Sequence, residues 1–400
     1  MNKAILNIDI QDFINTNIGT DIATLLLKGT HFTKVETKDI VEQIEAKKKS
    51  KNKLPTWFST KNIYYPNKLN IEQTSSELTA DYKSKLIQGS SIIDITGGFG
   101  VDCYYFSKHF KKVVYCEIDK PLSSLVGYNY KLLGADNIET YNIDGIKYLI
   151  ASNKIFNWVY IDPLRRHDSK GKVFFLNDCL PNVPAQLGTL FKHTNNIMIK
   201  TSPLLDLSVG INELQFVKSI YVIGVNNDVK ELLWILEKGF AGEIEVKTVN
   251  IIKNRQEHFD FMFEDEKKTG SNYARPLTYL YEPNSAILKA GAFQSITKQF
   301  DVFKLEKHSH LYTSEHLVDF PGRRFKIEQI VPYNSKSIKR LGIKAANITT
   351  RNFPETVQQI RKKLALKDGG DLYLFFTINY DLNKIVIITH KIFLNVRNLS

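Results

Sequence analysis

The 400 residues contain only three cysteines, three methionines and three tryptophans. Cys103, Cys116 and Cys179 do not have the spacing of metal ligands, so no zinc site and no other metal is expected. So few thiols also exclude a disulfide scaffold and fit a reducing compartment, the cytoplasm. No apolar run approaches the ~20 residues of a membrane span, and no membrane partner is expected. The opening residues, MNKAILNIDIQDF, set acids inside their apolar stretch and lack the pattern of a signal peptide. Internal repeats and low-complexity tracts are also missing.

Positive charge, by contrast, is in excess. The formal net charge is +12, and residues 301–400 hold 17 Lys and Arg against 9 Asp and Glu. A basic excess gathered in one quarter of the chain suits a phosphate-rich partner such as a nucleic acid. The plainer alternative is a generally lysine-rich surface. The length allows two or three domains.

The chain is organised around residues 91–102, SIIDITGGFGVD. A short apolar run, Ile92 and Ile93, ends in Asp94; Gly97, Gly98 and Gly100 follow, and then a helical pattern. That order predicts a strand, a tight turn and a helix N-terminus, opening an α/β unit that holds a nucleotide-like ligand at its strand's carboxyl end. A dinucleotide site would place a third glycine where Cys103 stands. Here an acid precedes the glycines, and a second acid, Glu117, ends the next predicted strand. The element resembles motif I of class I S-adenosylmethionine (SAM) dependent methyltransferases, acid-x-Gly-x-Gly-x-Gly, with Thr96 in place of the first glycine. This variant is more similar to RNA methyltransferases than to small-molecule ones.

Residues 1–85 predict a helical N-terminal region, with apolar spacing near 3.6 over 13–28 and 37–48. Another helix begins near Gln73, with Ser75 or Ser76 as its N-cap. Either it is simply a capped helix, or its start, including Gln73 and Ser76, covers the cofactor pocket. Residues 86–265 alternate predicted strands and helices. Strands at 92–95, 113–117, 138–142, 158–161, 197–200, 219–225 and 243–252, with a helix over 229–238, give the seven-stranded, mainly parallel sheet of a Rossmann-like α/β domain. The polar stretch 264–272 reads as a linker, and a basic α+β region follows it.

In such a site an acid ending the second strand can accept from both hydroxyls of a ribose. Glu117 holds that place, with Asp119 competing for the role. Asp144, after the third strand, can accept from an adenine amino group. Asp94 either meets the methionine ammonium or orients the loop. Thr96, Gly97, Gly98, Gly100 and Asp102 complete the expected cofactor set.

The fourth strand ends in Tyr160-Ile161-Asp162-Pro163-Leu164-Arg165-Arg166, where amino-methylating enzymes carry Asp/Asn-Pro-Pro-aromatic. There a carboxylate or amide oxygen accepts from the target amino group and steers its lone pair. Asp162, Pro163 and Arg165 are the expected catalytic residues. The aromatic platform for a flipped base is missing. Arg165 and Arg166 would replace it by stacking or phosphate contact, or else pair with nearby acids. Lys200, ending the fifth strand, would bind phosphate or pair with Asp162 or Asp206. Cys179 lacks the surrounding motif of a pyrimidine methyltransferase nucleophile.

Taken whole, the chain resembles a bacterial family of RNA methyltransferases with a THUMP-like C-terminal domain. The resemblance rests on EQTSSELTADYK, DITGGFGVD, YIDPLRRH, KTSPLLDLS, YEPNSAILKAGAF and ITTRNFPETVQQIRKKLALKDGGDLYLFFT. The family typically has alanine where this chain has Leu164. The resemblance implies a ferredoxin-like piece over 276–325, a THUMP-like module over 326–400, and RNA (tRNA or rRNA) as partner. Arg323 and Arg324, in the basic region, are expected substrate contacts. The resulting expectation is a cytoplasmic SAM-dependent methyltransferase, monomer or dimer, acting on RNA at a base nitrogen. The alternatives are a SAM-binding RNA-binding protein without catalysis, or a protein or small-molecule methyltransferase.

Overall fold

The computed structural model describes residues 1–165, 175–253 and 255–393. Arg166, one of the expected substrate contacts, lies outside the described residues. The chain divides into two compact units, one of Met1–Val217 with Trp234–Phe240, the other of Lys218–Leu233 with Ala241–Ser400.

In the first unit, helices Ile8–Thr16, Ile22–Lys28 and Thr37–Lys53 bury Ile5, Ile10, Ile14, Leu25, Ile40 and Ile44 against one another. The single helix expected over 13–28 is thus two. The Asn17 side chain donates back to the Phe13 carbonyl, and Asp21 caps the next helix by accepting from the Thr24 N–H. Short polar side chains that bond the local backbone favour such a break. Helix Glu77–Ser84 follows, and Ser76 is its N-cap.

This unit's strands are β1 (Ser91–Asp94), β2 (Lys112–Cys116), β3 (Ile138–Tyr141), β4 (Trp158–Ile161), the short antiparallel pair β5 (Leu164–Arg165) and β6 (Cys179–Leu180), and β7 (Asn196–Thr201). Five of them form a parallel sheet in the order β7-β4-β1-β2-β3. β1, β2, β4 and β7 are almost wholly buried, which is why they read as apolar runs rather than as alternating patterns. The chain winds outward from β1 in one direction and then from β4 in the other. Such a reversal opens a crevice at the carboxyl ends of β1 and β4.

β8 (Val217–Val225) is followed by a strand, β9 (Asp228–Glu237), where a helix was expected over 229–238. Asn226 and Asn227 between them both have positive φ, 51° and 64°. That conformation makes the tight turn of a β-hairpin, and Asn tolerates it. In the second unit β10 (Glu245–Ile252) pairs parallel with β8 and antiparallel with β11 (Arg255–Met262). The expected linker contains helix Phe263–Lys268, whose Glu266 accepts from the N–H groups of Phe293, Gln294 and Ser295.

The second unit also holds β12 (Tyr279–Pro283), β13 (Phe303–Lys304), β14 (Tyr312–Ser314), β15 (Gly322–Pro332), β16 (Asn347–Thr350), β17 (Leu372–Ile378) and β18 (Lys384–Lys391). They form a seven-stranded sheet in the order β13-β14-β12-β15-β18-β17-β16. Helix Val357–Leu364 packs beside it behind a capping box of Thr356 and Gln359.

Candidate functional site

The glycine turn joins β1 to helix Val101–Ser107. Gly100 precedes the helix with φ of 76°, the left-handed region that glycine enters without strain. At Gly97 the reason is space, since a Cβ there would come within 2.8 Å of the Cys116 carbonyl oxygen. The Gly97 N–H donates to that same carbonyl at 2.9 Å, which holds the turn against the end of β2.

Asp94 orients this turn from behind. Its Oδ1 accepts from both the N–H and the hydroxyl of Thr96, at 2.9 and 3.0 Å, and Cys103 Sγ donates to its Oδ2. Burial pushes the Asp94 carboxyl up to about 7, the bonds from Thr96 oppose the shift, and the charge of Asp102 adds to it. Its contacts are those of a residue that holds the loop in place.

In front of the turn lies a cavity of about 710 Å³, lined among others by Thr96, Glu117, Asp144, Asp162 and Arg165. Glu117 is fixed from both sides. Its Oε2 accepts from the Gly98 N–H at 2.9 Å and its Oε1 from the Asp119 N–H at 2.8 Å. Asp119 itself caps the helix Lys120–Leu132, accepting from Leu122. Asp144 caps helix Gly145–Ser152 through the Lys147 N–H. Ile118, 74% exposed, and Ile146 bring apolar surface into the same cavity.

Asp162 and Pro163 directly follow β4. The Asp162 N–H donates to Thr96 Oγ1 at 2.7 Å, and its carboxylate pairs with Lys200. Lys200 is buried; it also donates to Ser75 Oγ at 3.3 Å and lies 4.0 Å from Asp102 Oδ2. Lys83, fully buried, lies 3.1 Å from Asp102 Oδ1 and donates to Ser75 Oγ at 3.0 Å. Tyr160 Oη and Ser75 Oγ both donate to Asp102 Oδ2, at 2.7 and 2.9 Å. Burial alone would raise the Asp102 carboxyl, but Lys83 and then Lys200 outweigh it, and it lies below the usual carboxylate range.

The structure therefore brings Thr96, Glu117, Asp144, Asp162 and Arg165 to one cavity, with Gly97, Gly98 and Gly100 forming the turn beside it. Asp102 is buried in the ion cluster. Gln73 is exposed at the end of its helix, Ser76 serves as a cap, and the neighbouring Ser75 joins the cluster. Cys179 is buried, and its Sγ faces the Phe175 carbonyl. Sequence reasoning missed Ser75, Lys83 and Ile118. An isoleucine directly after the strand-ending acid Glu117 was the readable sign for the last of these.

In the second unit, Arg323 forks with Glu282 and donates to Thr349, while Arg351 takes the other oxygen of the same buried glutamate. Arg324 is buried and donates to Asp319 at 2.8 Å. A different cavity, of about 460 Å³, is rimmed by the exposed Lys339, Lys344 and Lys367. Among the described residues no cluster of His, Cys, Asp and Glu could hold a metal ion, and no helix is long and apolar enough to cross a membrane.

Residues 279–321 match the model of a ferredoxin-like domain, and residues 322–391 match that of a THUMP-like domain. The crystal structure of a candidate methyltransferase from Porphyromonas gingivalis W83 superposes with a TM-score of 0.88 at 29% identity, over 97% of this chain and 98% of that one. An rRNA methylase from Streptococcus thermophilus matches 40% of this chain and 94% of its own, at 16% identity and a TM-score of 0.30. A candidate methyltransferase from Streptococcus mutans in complex with SAH matches 40% and 96%, at 16% identity and 0.29. No curated protein matches the sequence.

Proposed function

We propose that this chain, which joins a class I methyltransferase fold to ferredoxin-like and THUMP-like domains, transfers a methyl group from SAM to RNA. The observation that carries this reading is the cavity at the carboxyl ends of β1, β2 and β4, where Glu117, Asp144 and Asp162 converge beside the glycine turn.

The residues present suit that cofactor. Glu117 offers carboxylate oxygens to a ribose diol, and Asp144 can accept from an adenine amino group. Ile118 and Ile146 offer apolar surface to an adenine ring, and Gly97 leaves room for close approach to the turn. When bound, SAM supplies an electrophilic methyl group on a sulfonium. Methyl transfer then asks the protein for alignment and electrostatics rather than for a metal. Asp162, held by Thr96 and Lys200, accepts a hydrogen bond from the acceptor group and points its lone pair. Arg165 at the cavity wall and the exposed lysines of the THUMP-like domain make the phosphate contacts that position an RNA strand. Three buried, unbridged cysteines fit a cytoplasmic setting.

The test is incubation of the purified protein with methyl-labelled SAM and, separately, total RNA, total protein and small metabolites. Label confined to RNA is the expected result. Label in protein or metabolites alone, or SAM binding without transfer to any pool, overturns the proposal.

A further inference from the structure

The cluster behind Asp162 holds four ionisable side chains, Lys83, Lys200, Asp102 and Asp162, tied together by Ser75 and Tyr160. Lys83 is fully buried, and Lys200 and Asp102 are nearly so. Buried ion pairs are a poor way to stabilise a fold, because desolvation cancels much of their attraction. An arrangement of this cost, ending on a carboxylate that enters the cavity, points to a task at that carboxylate.

Two features say which acceptor it serves. The first is the ammonium of Lys200 beside Asp162. An amino nitrogen gains positive charge as it takes a methyl group, and a cation next to it works against the reaction. A hydroxyl loses its proton and develops negative charge on oxygen, which the same cation stabilises. The second is the wall of the cavity. Among the described residues no aromatic side chain lines it; Leu164 and Leu180, 63% and 57% exposed, face each other across β5 and β6 beside Arg165. A flipped base is ordinarily held by stacking. A hydroxyl on the sugar–phosphate backbone needs no stacking platform, and a guanidinium suits the phosphate next to it.

We propose that the acceptor is a ribose 2′-hydroxyl of the RNA strand, in place of the base nitrogen expected from the Asp-Pro motif. The proposal rests on the RNA methyltransferase reading above. Asp162 takes the hydroxyl proton as the new oxygen–carbon bond forms and the carbon–sulfur bond of the bound sulfonium breaks. The sulfur leaves as a neutral thioether, and the proton passes from Asp162 to solvent. Lys200 is a positioning residue that fixes Asp162 and offsets charge at the oxygen; Lys83, Asp102 and Ser75 hold Lys200.

The experiment labels total RNA with the full-length protein and methyl-labelled SAM, then digests one portion with alkali and another to nucleosides for mass spectrometry. Alkali cannot cleave next to a methylated 2′-oxygen, so label is expected in alkali-resistant dinucleotides and in ribose-methylated nucleosides. Label in base-methylated nucleosides overturns this proposal and leaves the RNA reading standing, whereas no label in RNA overturns both. With the labelled RNA as substrate, Lys200→Met should lower kcat by about 100-fold, Lys200→Arg should recover part of that, and SAM affinity should stay within about twofold. Unchanged kcat in Lys200→Met contradicts the role given to Lys200.

Discussion

The hydroxyl of Thr96 accepts a 2.7 Å hydrogen bond from the backbone N–H of Asp162. Thr96 is the residue that departs from the usual glycine pattern, and its hydroxyl also donates to buried Asp94 at 3.0 Å. A glycine there could make neither bond. The departure thus ties the glycine turn to the carboxyl end of β4. Thr96→Val keeps the shape and removes both bonds, leaving the Asp162 N–H without that acceptor, at a cost of about 1–3 kcal/mol. Turnover should fall about tenfold or more, while SAM affinity measured by calorimetry changes little.

Glu117 gives the complementary result. Its carboxylate holds the glycine turn through Gly98 and, in this account, also the cofactor ribose. Removing a charged acceptor costs about 1.5–3 kcal/mol per bond, so Glu117→Ala should weaken SAM binding by one to two orders of magnitude. Calorimetry checks this directly, and SAM affinity equal to wild type would remove Glu117 from the site.

Asp94 gives a pH dependence whose sign can be worked out. Its carboxyl sits near 7 in the folded chain against an ordinary value of 3.8. Between those values the folded state holds a proton that the unfolded state has lost, so stability falls as pH rises from about 4 to about 7. Asp94→Asn cannot ionise and should lose that slope. The melting temperature of the variant relative to wild type should therefore be higher at pH 8 than at pH 5, read by calorimetric scans at both.

The lysines around the second-unit cavity should govern RNA affinity. Replacing Lys339, Lys344 and Lys367 together by glutamate should weaken RNA binding without altering SAM binding. If each contacts one phosphate, the slope of log affinity against log salt should become shallower by about 2. Filter binding across a salt series measures both quantities.

Much of the site was legible because its parts are local. The glycine turn, Glu117, Asp144 and Asp162 each close a strand, and strand ends can be read from short apolar runs followed by an acid. The pairing of Lys200 with Asp162 was among the readings the strand ends allow, but the rest of the ion cluster was not legible, because Lys200 and Ser75 meet across 125 residues of sequence and only the fold brings them together. Lys83 reads in sequence as an ordinary surface lysine on an amphipathic helix, yet it is fully buried. β9 was misread as a helix because its run of Leu232 to Leu236 fits either period. The Asn226-Asn227 pair, whose residue type tolerates positive φ, is the sequence signal for the hairpin. β16 carries no such signal, since Asn347–Thr350 is short, polar and only half buried.

The most direct test of the account compares wild type with Asp162→Ala in a single-turnover assay of methyl transfer to RNA, with SAM affinity measured on both proteins. The variant should bind SAM as wild type does and transfer the methyl group at least about 100-fold more slowly. Equal transfer rates in the two proteins would contradict it, because Asp162 would then have no part in presenting the acceptor.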